Sequence, residues 1–259
     1  SASNIVVAVL DSGIRATHED LAANMWVNPN DGGHGFNAFT GTNDPADGSG
    51  HGTLVAGVLG AAGNNGKGVT GVAWQVQMMA CRCLDDFGNG SDSTLIACID
   101  YARTHGAKII NASLDSTSFS LALSNAVVAT RDAEIIFVAS AGNDGANVDI
   151  TPHYPACYDI DNIVSVAATT RNDTLWNLSA YGATNVDLAA PGVQIYTTWI
   201  PTDSYYTDIF SGTSLAAPYV SGALALMLAK YPTENYHQII QRLLKATDPL
   251  PALAGKCVT

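Results

Sequence analysis

Basic residues are scarce in this chain. Eleven Lys and Arg stand against 23 Asp and Glu, a formal net charge of −12 at pH 7. A surface with that balance repels phosphate backbones and anionic lipid, which argues against nucleic acid and membranes as partners. Charge of either sign is thin, at 13% of residues against 47% hydrophobic, so the chain is core-rich and compact, not disordered. No apolar run reaches the ~20 residues that a bilayer-crossing helix needs, and no targeting signal precedes the first strand-like run. A Pro- or Ser-rich linker and internal repeats are also missing, so the 259 residues read as a single domain. The five cysteines are an odd number, so at least one is unpaired; small buried hydrophobes or one disulfide are expected. Cys81 and Cys83 are expected on opposite faces of a strand, unable to share a metal.

What is present is an alternation of apolar runs and helical patterns. Ile5 to Leu10 is a continuous apolar run ending at Asp11, as in a strand buried on both faces. Further strands are expected over Val76 to Leu84, Lys108 to Asn111, Ile135 to Ser140, Ile163 to Ala168 and Val186 to Ala189. Between them lie a small-residue helix from His51 to Ala61, an amphipathic helix over Ser93 to His105, and another over Ser120 to Arg131. Leu215 to Ala229 is nearly all apolar and reads as a helix buried on every side. Asn24 to Asp47 reads as a long surface loop, and Asn64 to Gly71 as a Gly-rich turn. Strand, helix, strand in that order is the βαβ signature. The expected fold is α/β, with a doubly wound, mostly parallel central sheet and helices on both faces.

In such sheets ligands gather at the carboxyl ends of strands. Asp11 closes the first run, Asn143 follows the fourth, and His51 opens a helix after Asp47-Gly48-Ser49-Gly50. Ser214 begins the Leu215 helix, where free N–H groups and the positive dipole end ease a developing negative charge. In isolation Ser214 reads as an ordinary N-cap ahead of a core helix. With the other three it completes a set of carboxylate, imidazole, amide and hydroxyl, the parts for acyl transfer through a covalent intermediate. A serine hydroxyl needs a base that works near neutral pH, and His51 is the candidate. Asp11 would fix the His51 tautomer, and the Asn143 amide with the Ser214 N–H would donate to an oxyanion.

Three segments carry a resemblance. Val9-Leu10-Asp11-Ser12-Gly13-Ile14, Gly50-His51-Gly52-Thr53-Leu54-Val55-Ala56-Gly57 and Gly212-Thr213-Ser214-Leu215-Ala216-Ala217-Pro218 resemble the active-site motifs of the subtilisin-like serine proteases, in the Asp, His, Ser order of that family. Ala141-Gly142-Asn143-Asp144-Gly145 and Asp187-Leu188-Ala189-Ala190-Pro191-Gly192 match as well, and the likeness covers nearly the whole chain. It implies a serine endopeptidase with Asp11, His51 and Ser214 as its triad and Asn143 at its oxyanion hole.

The resemblance also implies where a substrate lies. Leu84 to Gly90, with Gly88 between them, and Ser113-Leu114-Asp115 would flank a peptide bound as an added strand. Recognition through its backbone makes for broad specificity. Asp115 stands where the family has glycine, Asp144 would sit at the pocket mouth and His153 near its floor. Those carboxylates should disfavour an acidic P1 residue (the residue whose carbonyl is attacked) and tolerate a polar or basic one. Alternatively both point to water, or Asp115 partly blocks the pocket. Asp20 aligns with a family calcium ligand, although the N-terminal arm and the Asn64 to Val69 loop are short, and Asp149 is a second candidate. The chemistry itself requires no cofactor. Protein or peptide substrates and a pro-region or inhibitor are the expected partners of a secreted or otherwise extracytoplasmic monomer, trimmed to its mature catalytic domain. The alternatives are a peptide ligase using the same acyl-enzyme and an inactive binding homologue. The latter is disfavoured because all four catalytic positions are intact.

Overall fold

The computed structural model describes residues 1–259. Strand β1 (Val6–Asp11) is apolar up to its last residue and so needs cover on both faces; it lies inside a seven-stranded sheet. With β2 (Gly35–Asn37), β3 (Gln77–Arg82), β4 (Ile109–Ala112), β5 (Ile136–Ser140), β6 (Ile163–Thr169) and β7 (Leu188–Pro191), the order is β2-β3-β1-β4-β5-β6-β7. Every pairing is parallel. After β1 the chain lays β2 at one edge, inserts β3 between β2 and β1, and then crosses to the other side of β1 to build outward from β4. That reversal opens a crevice at the carboxyl ends of β1 and β4.

Side chains alternate across β1. Val7 and Val9 face a core shared with α1 (His51–Gly60), α4 (Thr213–Lys230) and α5 (Tyr236–Lys245). Ala8 and Leu10 face the opposite layer, covered by α2 (Asp92–Thr104) and α3 (Leu121–Asp132). The helix starts follow from local chemistry: Ser91, Ser120 and Asn235 each cap a first turn by accepting an N–H in their side chain. Helix α4 is largely buried up to Ala225, but Ser214, Tyr219 and Ala223 are half-buried and Leu226 and Lys230 reach solvent, so the expected burial on every side is not met.

Two expectations fail here. Residues two apart on a strand share a face, so Cys81 and Cys83 do not oppose each other; both pack in the α2 layer with Cys98. All five cysteines are free thiols. The long loop from Asn24 to Asp47 contains the edge strand β2. A hairpin of β8 (Thr197–Trp199) and β9 (Tyr205–Thr207), and helix α5, complete the elements. The hairpin braces α1, because the Thr197 and Thr198 hydroxyls donate to the carbonyls of Leu54 and Thr53.

Candidate active site

Asp11 ends β1 fully buried, at the mouth of the crevice. His51 is the first residue of α1, and its Nδ1 lies 2.8 and 2.9 Å from the two Asp11 oxygens. The Ser12 N–H also donates to Asp11 Oδ1, at 2.7 Å. With Nδ1–H held by the carboxylate, the His51 Nε2 is left as the acceptor. Burial alone would lower the imidazole pKa. The charge and hydrogen bond of Asp11 outweigh it, Asp47 adds to them, and the net shift is upward. Gly52 permits the approach of α1 to β1, since a Cβ there would sit 2.0 Å from the Gly13 carbonyl oxygen.

Asp47 is a functional residue that sequence reasoning passed over. Its Oδ1 accepts from Ser12 Oγ, Ser49 N and Gly50 N, and its Oδ2 from Thr53 N and Oγ1. It therefore caps α1 from four residues before His51, where Gly50 has no side chain to do so. The legible signal is the Asp-Gly-Ser-Gly turn chemistry.

Ser214 is the second residue of α4, and its N–H, in the unpaired first turn, has no acceptor in the chain. Its hydroxyl donates to the Ser113 carbonyl at 3.3 Å and makes no hydrogen bond to His51. Asn143 projects from the loop after β5, with its Oδ1 accepting from Thr213 N at 2.8 Å and Thr213 Oγ1 at 3.0 Å. With the oxygen anchored to the residue before Ser214, the Nδ2 is left as a donor without an acceptor in the chain. The segment after β4 is tied in too: Ser221 Oγ donates to Asn111 in β4, whose Nδ2 donates to Ser113 Oγ.

A groove of about 400 Å³ runs from His51 along Leu84, Gly88, Gly90, Ser113, Leu114 and Asp115. All six segment residues expected to flank a peptide thus line one groove, with Leu84 and Gly90 bridged across their turn. Asp144 and His153 do not line it. His153 is buried behind Asp115, its Nδ1 3.2 Å from Asp115 Oδ2 and its Nε2 3.2 Å from the exposed Asp144.

The two candidate calcium residues meet hydrogen-bond donors. Asp20 is fully buried, and its oxygens accept from Asn65 Nδ2 at 2.6 Å, Val69 N at 2.9 Å and Tyr206 Oη at 2.9 Å. Asp149 accepts from Thr184 N and Oγ1 and from Asn185 N. Burial would raise the Asp149 carboxyl, but those donors hold it below the usual carboxylate range. A calcium shell needs six to eight oxygen ligands. N–H and O–H groups point at these carboxylates instead, so the residues present do not fit the ion at either place.

A parallel α/β sheet that sets a buried acid–imidazole pair near a helix-opening serine is the arrangement of sheet-based serine hydrolases. The Subtilase family model matches residues 2–255. Subtilisin DY of Bacillus licheniformis is 39% identical over 242 residues, 93% of this chain and 82% of that protein. Thermitase of Thermoactinomyces vulgaris is 37% identical over 228 residues, 88% of this chain and 76% of that protein. The crystal structure of a cold-adapted subtilisin-like serine proteinase superposes with a TM-score of 0.85 at 29% identity, covering 99% of this chain and 87% of that one. The chain belongs to the subtilase family, a family of subtilisin-like serine endopeptidases, and its sheet is the subtilisin-like fold.

Proposed function

We propose that this chain cleaves peptide bonds through an acyl-enzyme on Ser214. The observation that carries the reading is the Asn143 side chain, whose oxygen is tied to Thr213, the residue before Ser214, while its NH2 and the Ser214 N–H have no acceptor in the chain. Two such donors are what a tetrahedral oxyanion requires. A peptide laid along Leu84 to Gly90 and Ser113 to Asp115 would hydrogen-bond through its backbone, which suits broad specificity. The Ser214 hydroxyl rotates from the Ser113 carbonyl toward His51 Nε2, gives its proton there and attacks the scissile carbonyl. The imidazolium is stabilised by Asp11 and returns the proton to the departing amine. Water then repeats the sequence on the ester and releases the acid. No cofactor takes part.

At P1 the groove tolerates polar or basic side chains and disfavours acidic ones, because Asp115 lines it and the charge of Asp144 stands behind, on the other side of His153. A secreted monomer made with a pro-region suits the family, and no helix is long and apolar enough to cross a membrane. The test is a fluorophosphonate that esterifies an activated serine, alongside turnover of a chromogenic peptide. Labelling at Ser214 with turnover abolished in Ser214→Ala supports the proposal. Ordinary turnover by that variant, with contamination excluded, overturns the nucleophile. A peptide ester mixed with an amine separates hydrolysis from ligation by product mass.

A further inference from the structure

A carboxylate in the groove wall has no donor in the chain. Asp115 lines the groove beside Leu114 and Ser116 with 28% of its side chain exposed, and neither of its oxygens accepts a hydrogen bond. Its one partner is the His153 imidazole at 3.2 Å, buried to 2% and gripped from its other side by Asp144. Neither ring nitrogen makes an aligned hydrogen bond. Contact at this distance without alignment is not a hydrogen bond and leaves the lone pairs of Asp115 open. Asp144 is occupied differently, because its Oδ1 takes the Ala146 N–H.

The cluster is fixed to the reacting centre. Gly142 has φ +118°, and a Cβ there would sit 2.1 Å from His153 Nδ1, so the ring lies directly under the residue that precedes Asn143. The ring is therefore held against the residue next to the Asn143 amide. A partly buried carboxylate without donors is unfavourable unless a ligand supplies them. An ammonium or guanidinium at P1 brings donors and the opposite charge, whereas a P1 carboxylate would face two groups of its own sign. The net charge of −12 attracts the same class of peptide at longer range.

We infer that Asp115 selects a cationic side chain at P1, with His153 as the residue that positions it and Asp144 as its reinforcing charge. The inference rests on the endopeptidase reading and narrows its tolerance of basic residues to a preference. Burial pushes the Asp115 carboxyl above the ordinary range, with His153 opposing and Asp144 adding to the rise. The titratable groups around Asp115 and His153 are Asp144, Tyr154, which follows His153 and lines the same groove, and Cys157, whose N–H donates to the His153 carbonyl.

The experiment measures kcat/KM for three peptides that differ only in Arg, Leu or Glu at P1, between pH 5 and 9. The Arg-to-Leu ratio cancels the ionisations that both substrates share, His51 among them. A ratio of about tenfold at neutral pH is expected, from a charge-assisted contact in a part-buried wall. It falls on acidification as Asp115 takes up a proton, and Asp115→Asn flattens it. His153→Gln, which removes the ring that positions Asp115 and keeps a polar side chain of similar bulk, lowers Arg turnover more than Leu turnover. A ratio near one, a preference for Leu or Glu over Arg, an unchanged ratio in Asp115→Asn, or equal losses for Arg and Leu in His153→Gln would each overturn the inference. Cleavage of no peptide together with an unlabelled Ser214 removes the endopeptidase reading and this inference with it. A labelled Ser214 with a flat ratio removes the inference alone.

Discussion

Ser113 and Ser214 exchange hydrogen bonds: Ser113 Oγ donates to the Ser214 carbonyl at 2.8 Å, and Ser214 Oγ donates to the Ser113 carbonyl at 3.3 Å. The first bond follows from Pro218, which lies inside α4 and has no N–H to offer the carbonyl four residues back. Ser113 supplies the missing donor and so ties the backbone of the candidate nucleophile to the segment that flanks the substrate. Ser113→Ala is expected to cost about 1–2 kcal/mol of stability through the orphaned carbonyl. Thermal unfolding measures it, and kcat should fall with it while the fluorophosphonate still labels Ser214.

The raised His51 pKa sets the acid limb of activity. A base must be neutral to accept the Ser214 proton, so kcat/KM should fall as pH drops through a value above the ordinary 6.5. Asp11→Asn removes the charge that raises it and should move that limb to lower pH, with a large loss of rate. The same proton acts on the fold in the opposite sense. Its stabilisation is fully present below about pH 6.5 and is lost as pH rises through the folded-state value.

Asp47→Ala strips five donors of their common acceptor, among them the N–H groups of Gly50 and Thr53 around the start of α1. A loss of about 1–3 kcal/mol is expected from the unpaired groups and the missing cap. Because His51 opens that helix, kcat should fall as well with KM little changed. Calorimetry and steady-state kinetics on one preparation separate the two effects.

Tyr206 reaches from the hairpin to the Asp20 carboxylate, with Glu19 as a second acceptor at 3.1 Å. Its phenol is pushed well up by burial and by those two carboxylates, so it stays a donor at any working pH. Tyr206→Phe should cost about 1–3 kcal/mol by leaving a buried charge short of a donor. The wild-type Tm should be the same with and without EDTA. A drop of several degrees on chelation would show a cation at work.

Asp187 is a buried carboxylate whose pKa burial raises to about 6, against one opposing hydrogen bond from Ser165 N. The folded state holds that proton more tightly than the unfolded chain. This contribution is therefore greatest at low pH and is lost as pH rises from about 4 through about 6. Asp187→Asn should raise Tm at pH 8, by the equivalent of about 2–3 kcal/mol, and change it little at pH 4.

The parts of the molecule that could be read from the chain are those where one local pattern decides the outcome. Ile5 to Leu10 carries no polar residue, so only a strand covered on both faces suits it, and β1 is central. Asp11, Asn143 and Ser214 each follow or precede such a run, which places them at one edge of the sheet without further information. Strands β2, β8 and β9 have three residues each, too few for a period to show. Helix α5 was within reach, since Asn235 and Gln238 form a capping box ahead of Ile239, Ile240 and Leu243. The bonds of Asp47, the cover over Asp20 and the grip of two carboxylates on His153 arise between segments far apart in sequence. Neither spacing nor propensity records them.

The five reduced thiols have a practical consequence. Cys81, Cys83, Cys98 and Cys257 are buried and Cys157 is half-buried, so a thiol reagent meets most of them only in molecules that have opened. In a protease those opened molecules are also food for the folded ones, and they vanish from any assay of what remains intact. Trapping the thiols as they surface would record each opening before digestion erases it. The cysteines thus give this chain a clock for its own self-destruction.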